Sequence, residues 1–291
     1  TVQMLGLLNE LGEDLRDYPE EGWTAQEIEF NLVVSPPITL VGDILVGNLA
    51  VIQNLSSTAA LSAGNFVVTG TGISQAARIK SVDSLTQITM TMKATGAIAG
   101  GSFLFSQDTY AMPSDFKTYQ NRTWWDRTNR WELLGPDSPQ MDQWHRSGIV
   151  ATGPRRHFRN IGRPSGNTYR LWPPPAEIVA PLQLVFEYQS TDWVNVNNLG
   201  TTFASAFAND ADTPVLDDRA LIKGLKWKYW EIKGFNYLPM RNDWIDFVDT
   251  LVARDGGAET LNIVKRIHPV FVSPSNVQDG FYPGPTGPNS S

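Results

Sequence analysis

Cysteine is absent from the 291 residues. That excludes disulfides, thiolate zinc ligands and thiol catalysis, and it leaves the redox compartment unmarked. Histidine is scarce, with only His145, His157 and His268. No two of them are neighbours in sequence, and no carboxylate spacing around them matches a metal triad. Each is expected to be satisfied or exposed. A surplus of positive charge is also missing: the formal net charge is −7 and the isoelectric point about 5.0. Such a chain is poorly suited to grip DNA phosphates by charge neutralisation, although DNA can slide past it. No apolar run of about 18 residues occurs, and no charged-then-apolar leader opens the chain. The expectation is a soluble protein made in the cytoplasm, with no membrane partner.

The chemical motifs are missing too. There is no HExxH, GxSxG, GxxxxGK[ST] or GxGxxG. The stretch NDADTP lacks the glycine and distal glutamate of a calcium loop. Glu10, Glu13, Asp14, Glu20 and Glu21 suit a solvated helix face better than a glycosidase carboxylate pair. Neither a catalytic residue, nor a cofactor, nor a metal ligand is expected. The one basic cluster, GPRRHFR at 153–159, fits a salt-bridged strand end, with nucleic acid or a neighbouring acidic subunit as the other options.

Tryptophan is abundant, at ten residues, and its amphipathic ring suits sites where one edge packs and the other meets water or a partner. Val2, Leu5, Leu8, Leu11 and Leu15 recur at helical spacing and predict an amphipathic helix, ended by Pro19 and Gly22. Ile28–Val34 reads as a strand. From Pro36 to Ser106 the composition turns to Gly, Thr, Ser, Ala and Val, with charge only at Asp43, Arg78, Lys80, Asp83 and Lys93. Short alternating runs there predict a small all-β barrel or sandwich inserted into another domain. Residues 108–193 are rich in Trp, Pro and Arg. Within them Leu182–Tyr188 alternates as a half-buried strand does, and YRLWPPP is a strand that proline must stop. Thr213 and Pro214 suit an N-cap and first helical turn, and Gly234 a C-cap. A second helix follows from about Met240 to Asp255, completing a helical hairpin. The tail from Ile267 is rich in Pro and Gly and unsuited to a regular core element.

The stretch LIKGLKWKYWEIKGF, Leu221–Phe235, carries two Trp and four Lys. On a helical wheel Leu221, Ile222, Leu225, Tyr229 and Ile232 form one arc, which is expected to pack on the domain. Trp227 and Trp230 lie on the other side, flanked by Arg219, Lys223, Lys226 and Lys233. The second helix shows an acidic row, Asp243, Asp246 and Asp249. The basic aromatic face of one copy would meet the acidic face of the next, a head-to-tail contact that closes into a ring if the rotation permits. Packing of both indoles inside their own subunit is the competing reading.

DTPVLDDRALIKGLKWKYWEIKGF followed by VARDGG resembles the C-terminal helical hairpin of tailed-bacteriophage head-to-tail adaptors, the connector or tail accessory proteins of podophage-like necks. MPSDF, WWDRTNRWELLGP, GPRRHFR and the stretch from YRLWPPPA to LVFEYQSTDWV are similar to the middle of the same proteins, and LLNELGEDL to their first helix. The resemblance implies an α+β fold: a helical adaptor core (residues 1–35 and 107–266), an inserted β domain (36–106) and an extended C-terminal arm (267–291). It implies a virion protein of the neck and tail, assembled as a homo-oligomeric ring of roughly twelve copies. The ring would bind the portal above and a tail tube or nozzle protein below. Genomic DNA would pass through its channel on ejection without specific binding. Ile267, Pro269, Phe271, Val272, Phe281 and Tyr282 are then candidates for a portal-binding arm, which would gain order on its partner. A second reading is a glycan-binding virion module, in which the Trp-rich segment and the β insert stack on sugars.

Overall fold

The computed structural model describes residues 2–20, 22–74, 77–120, 122–146, 155–162, 168–175 and 178–255. Among these residues there are four α-helices: α1 (Val2–Arg16), α2 (Pro139–Arg146), α3 (Asp218–Ile232) and α4 (Leu238–Asp255). The strands up to the middle of the chain are β1 (Glu27–Val34), β2 (Ile38–Ile44), β3 (Val51–Ile52), β4 (Phe66–Thr69), β5 (Ile79–Ser84), β6 (Gln87–Met90), β7 (Ile98–Gln107), β8 (Thr109–Ala111) and β9 (Phe116–Tyr119). After them come β10 (Trp125–Asp126), β11 (Trp131–Glu132), β12 (His157–Ile161), β13 (Thr168–Trp172), β14 (Leu182–Ser190), β15 (Val194–Asn195), β16 (Phe203–Ala204) and β17 (Thr213–Pro214).

This overturns the expected helical adaptor core with a small inserted β domain. The chain is mostly antiparallel sheet, and strands continue well beyond the Gly/Thr-rich segment. The physical reason is that β10, β11 and β15–β17 are two-residue strands held by non-local pairing. So short a run cannot display the two-residue alternation that marks a strand in sequence.

The described residues divide into two compact units, one within 2–30, 115–120 and 187–255, the other within 31–114 and 122–186. In the second unit, β2-β7-β4 and β3-β6-β5 form two three-stranded antiparallel sheets. Their apolar residues converge on one core, including Ile44, Ile52, Val68, Ile79, Ile88, Phe103 and Phe105. Small side chains between them suit tight strand packing. At Gly42, for instance, a Cβ would meet the Gln53 carbonyl at 2.8 Å.

The same unit has a second, aromatic core. Trp124 stacks on Phe158 and Phe186 with ring centroids 4.2 and 3.8 Å apart, and Tyr169 meets it edge-on at 5.4 Å. These rings come from β12, β13, β14 and the residue before β10, so stacking helps tie the two-residue β10 to the longer strands. Next to β8 lies a buried ionic network. Asp108 receives the Arg78 guanidinium and hydrogen bonds from Thr109, and Arg146 lies 3.5 Å away. Arg146 also pairs with Asp142 at 3.0 Å, and Asp142 with Arg159 at 2.9 Å. Burial and the neighbouring Arg78 and Arg146 charges lower the Arg170 pKa to about 10.

In the first unit α3 and α4 form an antiparallel hairpin, and α1 packs on α3. Asp217, not Thr213, caps α3: its carboxylate accepts the Arg219 and Ala220 amides at 2.8 and 3.1 Å. Thr213 and Pro214 instead form β17, paired with β15. A proline is tolerated at such a short sheet edge. Gly234 lies just past the helix at φ 72°, the left-handed conformation glycine favours there.

Two glycines set the helix contacts. A Cβ on Gly224 would meet Leu11 at 2.5 Å and the Trp244 indole nitrogen at 2.9 Å. A Cβ on Gly12 would lie 2.0 Å from the ring of Trp193, which is fully buried and has no room to retreat. Gly6 has open space. Gly→Ala in a helix normally gains up to about 1 kcal/mol, so the two sites should respond with opposite signs. Gly6→Ala is expected to raise stability and Gly12→Ala to lower it by about 1–3 kcal/mol, both read from urea unfolding. Equal responses would contradict the packing of α1 on Trp193.

Candidate functional site

The hairpin holds the residues singled out from sequence. Its buried face is not the one that hydrophobicity alone selects. Ala220, Leu221, Gly224 and Lys228 are buried, whereas Ile222, Tyr229 and Ile232 are exposed, Ile232 by 62 %. Gly224 lets Leu11 approach. Lys228 reaches Glu10 and Asp14 on α1 at 2.7 and 2.6 Å. Burial works against its charge, but Asp14 and Glu10 more than offset it and raise its pKa. The acidic residues of α1 therefore serve a buried lysine, a role that composition did not reveal.

The two indoles part company. Trp227 packs against the core of its own unit, near Trp244 (5.8 Å between centroids) and Tyr237 (6.5 Å). Trp230 is 37 % exposed and meets Phe235 edge-on at 5.6 Å. Phe235 beside it is exposed too, as are Ile222, Tyr229 and Ile232 elsewhere on α3 and Leu238 at the start of α4, and Lys226 and Lys233 lie on the Trp230 side of α3. Lys233 sits over the Tyr229 ring at 5.5 Å. This is an apolar, cation-flanked patch at the end of α3 and the hairpin turn. Patches of this kind mark interaction sites on soluble proteins.

The basic and acidic rows also meet inside one chain. Lys223 donates to Asp243 at 2.5 Å, and the Tyr18 hydroxyl donates to Asp249 at 2.7 Å, which raises the Tyr18 pKa to about 12. Arg219, Lys226 and Asp246 form no side-chain ion pair among the described residues. The arm residues Ile267, Pro269, Phe271, Val272, Phe281 and Tyr282 lie outside the described residues.

Elsewhere in the first unit, a cleft of about 270 Å³ is lined by Leu15, Trp23, Leu216, Leu251, Asp217, Arg254 and Asp255, among others. Asp217 caps α3, and Asp255 accepts the Thr24 amide at 2.8 Å and its hydroxyl at 2.5 Å. With both carboxylates committed, no polar set converges on a ligand. The basic cluster after residue 153 is bound within the second unit: Arg159 to Asp142, Arg156 to the Pro173 carbonyl at 2.9 Å, and His157 near Asp137. Two histidines that looked unrelated are brought together. The rings of His145 and His157 lie 4.6 Å apart, with Asp137 beside both. Only the pairing of the segment before α2 with β12 creates that contact, so no sequence spacing announced it.

No helix among the described residues is long and apolar enough to cross a membrane. No curated protein and no solved structure matches the chain. A family model does, that of the SU10 adaptor protein, over residues 67–260. The match spans β4 to the end of α4, and so takes in the aromatic core, the ionic network and the whole hairpin. Because it covers well over half of the residues, the chain belongs to the SU10 adaptor protein family, the structural adaptors of bacteriophage particles.

Proposed function

We propose that this protein is a non-enzymatic ring component of the phage neck, of the podophage-like type, that joins portal to tail and surrounds the path of the DNA. The observation that carries the reading is the exposed aromatic and aliphatic patch at the end of α3. A lone subunit leaves Trp230, Tyr229, Ile232 and Phe235 in water. A second copy, offering Asp246 and the outer face of α4, would cover them and meet Lys226 and Arg219. Aromatic anchors ringed by charge are typical of interface centres. The negative net charge suits a channel wall that must not retain DNA. The arm from residue 267 is assigned to the portal and the opposite end of the ring to a tail tube or nozzle protein, on the family likeness.

The glycan-binding alternative draws less support. Trp124, Trp172 and Trp193 are buried and so offer no face to a sugar. Trp131 of the middle segment is half-buried, and Trp125 and Trp144 are exposed.

The test is the mass of the complex formed with the cognate portal. A discrete particle holding one closed ring of this chain per portal is expected. Deletion of residues 267–291 should leave the subunit folded and abolish portal capture. A chain that stays monomeric with portal present would end the proposal.

A further inference from the structure

Three side chains of the second unit form a polar cluster that the adaptor role does not use. Asp137 precedes α2, His145 lies in its last turn, and His157 begins β12. One donor atom from each lies within 4.8 Å of the others. Asp137 Oδ1 is 3.3 Å from His157 Nδ1, and Asp137 Oδ2 is 3.6 Å from His145 Nε2. We propose that Asp137, His145 and His157 bind a divalent transition metal of the zinc class, which pins α2 to β12.

His145 carries the argument. It is 5 % exposed, and neither of its ring nitrogens has a hydrogen-bond partner. A buried imidazole always has at least one N–H or lone pair to satisfy, and leaving both nitrogens empty is costly. Asp137 Oδ2 is too distant at 3.6 Å for a good hydrogen bond. The two rings lie tilted at 45° with centroids 4.6 Å apart. A metal removes the difficulty, because it takes a lone pair from each neutral ring.

The separations from the two Asp137 oxygens to the histidines, 3.3 and 3.6 Å, are near what such a site needs. Zinc holds nitrogen and carboxylate oxygen at about 2.0–2.2 Å, which sets tetrahedral ligand atoms roughly 3.3–3.6 Å apart. Two imidazoles and one carboxylate form an N/O set of the kind zinc and its neighbours prefer over magnesium or calcium. A water completes four-coordination. The backbone holds the ligands in place beforehand. Leu134 and Phe158 exchange amide-to-carbonyl bonds with the neighbouring strands' backbone, Leu134 N–H to Arg156 and Phe158 N–H to Leu134, both at 2.9 Å. The Asp137 amide donates to the Phe158 carbonyl at 2.8 Å. Gly135, at φ 150°, permits the close approach, since a Cβ there would sit 2.6 Å from that same carbonyl. At the other side Ser138 Oγ accepts the Met141 amide at 3.2 Å and starts α2, the helix whose last turn carries His145.

The test uses the full chain, stripped with a chelator and dialysed. Calorimetric titration with ZnCl₂ and metal analysis should give about one equivalent per chain with micromolar or tighter affinity, and the thermal midpoint should rise by roughly 3 °C or more at saturating zinc. Co²⁺ should give the visible absorption of a four-coordinate site. His145→Ala, His157→Ala and Asp137→Asn should each weaken zinc binding at least about tenfold, while His268→Ala leaves it unchanged. Asp137→Asn keeps side-chain volume, so it reads ligation even where a histidine replacement disturbs folding. Failure of the wild-type chain to take up either metal in a saturable way would overturn the proposal. So would uptake that survives all three substitutions, or uptake lost with His268→Ala.

Discussion

Asp108→Ala is expected to cost about 3–5 kcal/mol and to bring the unfolding midpoint of the second unit down sharply. Asp108 has no solvent exposure. Its carboxylate faces Arg78, which also donates to the Gly64 carbonyl and to Thr109, both at 2.9 Å. It also lies near Arg146, whose guanidinium stacks over Trp172 at 5.2 Å. Removing the anion strands the Arg78 guanidinium, whose side chain is 12 % exposed, and leaves Arg146 with Asp142 as its counter-charge. The cost comes from stranding Arg78, not from the worth of the pair itself. Exposed pairs behave differently: Asp17→Ala, which removes the partner of Arg16 and Lys117, should cost about 1 kcal/mol or less. Urea unfolding followed by tryptophan fluorescence measures both, and a loss below that level for Asp108→Ala would show that water reaches the site.

The same network makes the unit acid-sensitive. Burial pushes the Asp142 carboxyl up, but Arg146 and Arg159 outweigh it, so its pKa lies below the ordinary value. A lowered carboxylate pKa gives stability that is complete above the unfolded-state pKa near 4 and disappears as pH falls through the lower folded value.

The second large effect separates two tryptophans three residues apart. Trp230→Asp is expected to abolish self-association, weakening each contact by at least about 30-fold, which is 2 kcal/mol, while subunit stability changes by no more than about 0.5 kcal/mol. Trp227→Ala should do the reverse. It empties part of the core against Trp244 and Tyr237 and should cost about 2–4 kcal/mol of folding stability. Sedimentation in the presence of portal, paired with thermal unfolding of the subunit alone, reads both. If Trp230→Asp unfolds the subunit and spares assembly, the patch is internal packing and the interface lies elsewhere.

Periodicity made much of the fold legible. α1, the body of the α3–α4 hairpin and strands such as β2 and β6 repeat with the period of their element, so they could be located before any contact was known. The orientation of α3 was not legible. A wheel sorted by hydrophobicity buries Ile222, Tyr229 and Ile232 and exposes Lys228. The fold does the opposite, because Gly224 admits Leu11 and because Glu10 and Asp14 receive Lys228. Those partners lie more than two hundred residues away in sequence. The β character of the middle segment was underestimated for a related reason, since Trp125–Asp126 and Trp131–Glu132 are strands only because β14 pairs with the first of them. The His145–His157 contact depends on the same long-range pairing. Trp230, singled out because a helix needs only one packing face, is partly exposed.

The most direct test of the central claim exploits the absence of cysteine. In the double variant Lys226→Cys and Asp246→Cys, a short bis-maleimide is added to the complex assembled with portal. Head-to-tail contact between the α3 patch of one copy and the outer face of α4 of the next predicts a ladder of covalent dimers, trimers and higher species, missing from either single variant. Assembled complexes that yield only monomer after reaction at both thiols would contradict the account.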